Sequence, residues 1–116
     1  IKAIQIIQKD TSILAGGDWS HSFQYYGSDE IGQLSDELRS MQKSFYDNMQ
    51  NEKSEKANQE LITTLSHDLR TPLTSLLGYL ELIRYREGSV EMKREYLDRS
   101  LLKVEQIRSL SNKMFE

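Results

Sequence analysis

The chain has no cysteine, one proline, six glycines and no long apolar run. Without cysteine there are no disulfides, no thiolate metal sites and no cysteine nucleophile, which is consistent with a cytoplasmic location. Without roughly 18 consecutive apolar residues no segment of this sequence spans a membrane as a helix. Neither charge sign dominates: 15 Lys and Arg are interspersed with 18 Asp and Glu, for a net charge of −3. A basic helical DNA-binding protein is excluded by that balance, and no nucleic-acid partner is expected. The chain opens on Ile1, carries no signal-peptide pattern and reads as a piece of a longer protein.

What remains is 37% hydrophobic and 28% charged in 116 residues, rich in the Leu, Glu, Lys, Gln and Arg that favour helices. An isolated helical hairpin of this composition buries too little apolar surface to be stable, so oligomerisation is expected. Four helical seams stand out from steps of three and four. Ile4, Ile7, Thr11 and Leu14 form the first, which stops at Gly16-Gly17, where left-handed backbone costs little. Residues 16–28 are a connector, and Trp19, Phe23, Tyr25 and Tyr26 make its latter part apolar enough to lie against a bundle. The second helix starts near Ser28-Asp29-Glu30, a cap followed by acids, and its seam is Ile31, Leu34, Leu38, Met41 and Phe45. A connector this long joins parallel helices by travelling back along them.

Between Asn48 and Asn58 the seam fades at Asn48, Glu52 and Glu55. With no Gly or Pro there, the run reads as a continuous helix with a slip in heptad phase; a merely solvated helix fits the same residues. The third stripe is Leu65, Leu69, Leu73, Leu76, Leu80 and Ile83, ending near Glu87-Gly88-Ser89. The fourth, from Val90 or Glu91, carries Leu97, Leu101, Val104, Ile107, Leu110 and Met114. The short turn makes the last two an antiparallel hairpin, and two such hairpins close into a four-helix bundle.

The informative run is Ser66-His67-Asp68-Leu69-Arg70-Thr71-Pro72-Leu73. At about 100° per residue, His67 lies roughly opposite the stripe, on the side of Thr63, Thr71 and Thr74. A solvated histidine is the ordinary reading of such a position. The neighbours add chemistry: a neutral imidazole has one nitrogen free to attack, and an adjacent carboxylate, Asp68, holds the proton on the other and raises its nucleophilicity. Thr71, one turn on, can position a water at the same spot. Pro72 removes an amide donor from mid-helix at a cost of about 3 kcal/mol and bends the helix, yet the stripe continues through it in phase.

This run resembles the phosphoacceptor box of bacterial sensor histidine kinases, H-[ED]-x-x-[TN]-P, and the segment from Lys56 to Phe115 resembles their dimerisation and histidine-phosphotransfer domain. The resemblance implies that His67 accepts the γ-phosphoryl group of ATP, that Asp68 is its acid/base partner, and that Thr71 positions water for dephosphorylating a response regulator. It also implies docking of the regulator's receiver domain around Thr74, Gly78, Tyr79 and Leu82.

Gly17-Asp18-Trp19-Ser20 and Asp29-Glu30-Ile31-Gly32-Gln33-Leu34 resemble the connector start and the D-E-x-G signature of a HAMP signal-relay linker. The family's early proline is absent, with Ala3 nearest to it, and Gly16 is additional. The implied organisation is a HAMP domain at 1–50 and a phosphotransfer domain at 51–116. The implied fold is all-α: a homodimeric parallel four-helix HAMP bundle continuous with a four-helix bundle of two antiparallel hairpins. Signal would pass through the phase slip to the bend at Pro72. The implied protein is the cytoplasmic portion of a bacterial cell-membrane kinase, tied to the membrane by a preceding helix outside this chain.

No Gly-rich ATP lid and no asparagine box occur here. The family carries them in a following catalytic domain, so ATP and magnesium are expected in the full-length protein and no cofactor in this piece. A non-catalytic, chemoreceptor-like HAMP relay is the alternative, which has no need of His67, Asp68, Thr71 and Pro72. Among the other residues, His21 has no carboxylate at a favourable spacing and reads as structural or solvated, and no metal site is expected. Arg84, Arg86, Lys93 and Arg94 read as a solvated cluster around the hairpin turn.

Overall fold

Each of the four seams forms a helix. The computed structural model describes the backbone of residues 2–50, 55–85 and 90–114, with side chains described for these except residues 55–62, 65, 66 and 114. The elements are α1 (Lys2–Ala15), α2 (Glu30–Gln50), α3 (Glu55–Tyr85) and α4 (Val90–Met114). Among the described residues there is no strand. No helix is long and apolar enough to cross a membrane among the residues described.

Local chemistry sets the helix ends. At the end of α1 the amide of Gly17 donates to the Leu14 carbonyl and that of Asp18 to the Ile13 carbonyl. This is the Schellman pattern, which needs a left-handed residue after the cap; Gly17 supplies it with φ 104°. At the start of α2, Asp29 is the cap: its Oδ1 accepts from the Gly32 amide at 2.9 Å.

The connector returns along both helices, which makes α1 and α2 parallel as expected. Against α1, the Gln24 amide donates to Asp10 at 3.0 Å. Against α2, Gln42 donates to the Trp19 carbonyl, Arg39 to the Phe23 and Tyr25 carbonyls, and Ser35 to the Tyr25 carbonyl. Later connector residues thus meet earlier α2 residues. Trp19 and Phe23 are buried, and the Trp19 ring lies 4.2 Å from that of Phe45. Gly32 sits where the returning chain crosses α2, and a Cβ there would fall 2.1 Å from the Gly27 carbonyl oxygen. The glycine of the D-E-x-G run is therefore a packing requirement.

The seams are the core. Ile4, Ile7, Leu14, Leu34, Leu38, Met41, Phe45, Leu69, Leu73, Leu76, Leu80, Ile83, Leu97, Val104 and Ile107 belong to one buried cluster. Ile31, Leu101 and Leu110 pack against it, half-buried. The expected stripe members Leu65 and Met114 have side chains outside the described set, as does the turn at 87–89.

What packs on what departs from expectation. Within one chain α3 packs on α4, α1 packs on α3 and α2 packs on α4, while α1 and α2 touch each other little. Arg70 of α3 meets Ala15 of α1 and Arg84 meets Gln8, so α1 and α3 run antiparallel. Because α1 and α2 are parallel, α3 also runs opposite to α2. Of the run from Asn48 to Asn58, where the phase slip was expected, residues 51–54 lie outside the described residues.

The dimensions agree. The molecule is 50 × 23 × 21 Å, the length of α3 alone at about 1.5 Å per residue, whereas α2 and α3 end to end would span roughly 80 Å. The physical reason is burial. A single chain covers its four apolar stripes by laying α1 and α2 on its own hairpin.

Candidate functional site

α3 carries His67 on its outer face. The imidazole is 81% exposed and the Asp68 side chain 54% exposed. Thr63, Thr71 and Thr74 are exposed on the same side, while Leu69, Pro72 and Leu73 are buried behind them. The helical phase read from the stripe is the one the fold adopts.

His67 Nδ1 lies 3.9 Å from Asp68 Oδ1. That is an electrostatic distance, beyond hydrogen-bond range; a small side-chain rotation closes it. Asp68 therefore faces Nδ1, and Nε2 is the nitrogen left for other chemistry. Thr71 stands one turn along, within reach of a water held over the same face.

α3 continues through Pro72. Proline has no N–H, so the Asp68 carbonyl lacks its usual helical donor one residue from the imidazole. Two residues beyond, the Thr74 hydroxyl donates to the Arg70 carbonyl at 2.9 Å, a back-bond that favours bending. Arg70 Nε in turn donates to the Ala15 carbonyl at the C-terminal end of α1, at 3.3 Å, where a cation suits the helix dipole. The turn bearing His67 is thus both loosened in its own hydrogen bonding and tied to another element.

Below this turn α3 presents a depression of about 510 Å³ lined by Gly78, Glu81, Leu82 and Tyr85. Of the expected docking residues, Gly78 and Leu82 line it. Thr74 is exposed one turn nearer His67, and Tyr79 is half-buried, its ring 6.5 Å from that of Tyr96. A Cβ added at Gly78 would meet nothing within 4 Å.

Two readings are refined. Of the structural and solvated readings of His21 the structure favours the structural one, and it supplies a carboxylate partner that the spacing did not suggest: Nε2 donates to Asp10 Oδ1 at 2.6 Å, and Asp10 is buried. The pair was hidden by a separation of eleven residues across a loop, where no helical period applies. The basic cluster at the hairpin turn is also engaged. Arg84 is half-buried, donates to Gln8 and lies over the Tyr85 ring, and Arg94 pairs with Glu30; Arg86 lies outside the described residues. Among the described residues no group of three or more His, Cys, Asp or Glu forms a metal-binding cluster.

Comparison with known proteins bears on this site. Residues 57–116 match the family model of the His Kinase A (phospho-acceptor) domain. The chain is 29% identical over 117 residues to the sensor histidine kinase YrkQ of Bacillus subtilis (strain 168), covering 99% of this chain and 27% of that protein. It is 37% identical over 76 residues to the sensor protein VanSC of Enterococcus gallinarum, covering 65% of this chain and 21% of that protein. To the sensor protein VanS of Enterococcus faecium it is 29% identical over 91 residues, 77% of this chain and 24% of that protein. The chain thus spans about a quarter of the length of these relatives. No solved structure is a significant match. With its outward histidine, adjacent acid and proline-containing helix inside the matched segment, the chain belongs to the family of His Kinase A (phospho-acceptor) domains.

Proposed function

We propose that this chain is the signal-relay and phosphoacceptor core of a membrane sensor kinase, with His67 as the phosphorylated residue. The observation that carries the reading is the exposed His67 with Asp68 and Thr71 on one face of α3, inside the matched segment.

Asp68 faces Nδ1 and stabilises the proton there, so Nε2 attacks the γ-phosphorus of ATP. The bond from the γ-phosphorus to the bridging oxygen of ADP breaks as the N–P bond forms. Asp68 offsets, or removes, the positive charge that develops on the ring. ATP and magnesium are held by a separate catalytic domain of the longer protein. The phosphoryl group then passes to an aspartate of a response-regulator receiver domain, which docks over Thr74, Gly78, Tyr79 and Leu82. In the reverse sense Thr71 and Asp68 orient the water that dephosphorylates the regulator.

Residues 1–50 act as a HAMP relay. The Schellman end at Gly17, the returning connector and the crossing at Gly32 support this assignment. The working form is a homodimer, and the membrane is reached through a helix preceding the chain. The transfer step is the test. When the phosphorylated chain is mixed with a cognate receiver domain, the label moves to the receiver with loss from the chain. A label that stays on the chain in the presence of every receiver from the same organism contradicts the proposal.

A further inference from the structure

The connector is held from both sides by the helices it joins, and the two holds differ in kind. On α1 a single residue supplies it. Asp10 is 3% exposed, and both oxygens of its carboxylate are filled from the connector. Oδ1 accepts from His21 Nε2 at 2.6 Å and Oδ2 from the Gln24 amide at 3.0 Å. A buried carboxylate is stable only where its oxygens are hydrogen-bonded, so Asp10 needs the connector as much as it fixes it.

On α2 the hold is shared. Gln42 donates to the Trp19 carbonyl, Arg39 to the Phe23 and Tyr25 carbonyls, and Ser35 to the Tyr25 carbonyl. The Arg39 guanidinium also lies 3.9 Å over the Tyr26 ring. The two sets of bonds interleave along the connector: residues 19, 23 and 25 are tied to α2, and 21 and 24 to α1. Every partner lies between Asp10 and Gln42, within the connector and its two flanking helices, and none of these bonds involves α3 or α4. Asp10 bonds to His21 and Gln24 and not to Arg39, so what passes between Asp10 and Arg39 passes through residues 21–25.

Releasing His21 and Gln24 leaves the segment between them restrained from α2 alone, and the carbonyls that Arg39 holds lose their fixed position. We infer that Asp10 is a coupling residue, which makes the connector a strap carrying displacements of α1 to Arg39 and so to α2. Its role in signalling rests on the relay reading of residues 1–50. The coupling itself is measured without signal, ATP or phosphorylation, so either can fail alone.

Hydrogen exchange followed by NMR, in the unmodified chain and three variants, tests the strap. Asp10→Ala removes both bonds to α1. It is expected to speed exchange of the Gln24 amide about tenfold or more. The Arg39 Nε–H, which Asp10 does not touch, is expected to exchange several-fold faster. His21→Ala leaves the bond from Gln24 to Asp10 in place and is expected to give smaller increases at both groups. His21→Gln, whose side-chain amide offers the carboxylate a donor again, is expected to restore most of the protection. Amides in the middle of α4 report global opening and are expected to be unchanged in His21→Ala, the variant that carries the test if Asp10→Ala does not fold. Faster exchange at Gln24 with the Arg39 Nε–H unmoved would make Asp10 a local anchor and overturn the inference. A Gln24 amide unprotected in the unmodified chain, or acceleration in α4 equal to that in the connector, would overturn it as well.

Discussion

At the scale of single residues, the site divides its labour between neighbours. His67 projects into solvent because its helical phase opposes Leu69 and Leu73, and Asp68 follows it toward the same edge at 3.9 Å. Thr71 is one turn away on the same exposed face, and under the proposed function its contribution is confined to a water-dependent step. Thr71→Ala is therefore expected to leave phosphate incorporation into the chain within about twofold of the parent, while slowing regulator dephosphorylation by the order of 10² to 10⁴ that a positioned acid–base group contributes. Parallel single-turnover assays of both reactions check this; equal losses in the two would contradict the division. That His67, Asp68 and Thr71 lie on the exposed side of α3, with Pro72 behind them, was legible from the sequence because helical phase depends only on local spacing. The Asp10–His21 pair was not, since no period carries across the connector.

At the scale of elements, the boundaries are written in capping chemistry and the faces in periodicity. Gly17 and Asp29 terminate and start helices through named hydrogen bonds, and the seam residues of α1 and α2 are buried as their spacing predicts, apart from the half-buried Ile31. Two helical glycines have opposite expected effects. Gly32→Ala drives a Cβ into the Gly27 backbone and is expected to destabilise by about 1–3 kcal/mol. Gly78→Ala enters open space and is expected to stabilise α3 by about 0.5–1 kcal/mol. Thermal or urea unfolding of the two variants checks the signs.

The connector start offers a pH readout. Asp18 accepts from the Ser20 hydroxyl and amide, and these hydrogen bonds, with a smaller contribution from His21, hold its carboxyl below the ordinary 3.8. Its folded value is depressed, so the turn's contribution is present above that ordinary value and is lost as pH falls through the folded one. Following the Ser20 amide by NMR is expected to give a midpoint below 3.8, moving upward in Ser20→Ala.

At the scale of the whole molecule, periodicity says which face of each helix is buried and not what buries it. The seam of α1 fits α3 as readily as it fits a parallel α1, because both are stripes of branched aliphatic residues with the same spacing. That is why the helices were legible and their packing was not. Long-range polar contacts such as Arg108 to Glu37 and Arg70 to Ala15 make the choice visible only in three dimensions. The turn bearing His67 lies where α1 ends against α3, so whole-molecule packing and the chemistry proposed for His67 meet at one place. The central claim concerns that residue, and identifying the phosphorylated atom tests it most directly. The chain is incubated with ATP, magnesium and the ATP-binding domain of a sensor histidine kinase, then mapped by fragmentation mass spectrometry and phosphorus NMR. The account predicts one phosphoryl group, alkali-stable and acid-labile, on His67 Nε2, and none in His67→Gln. Phosphate on any other residue, or equal incorporation in His67→Gln, would contradict it.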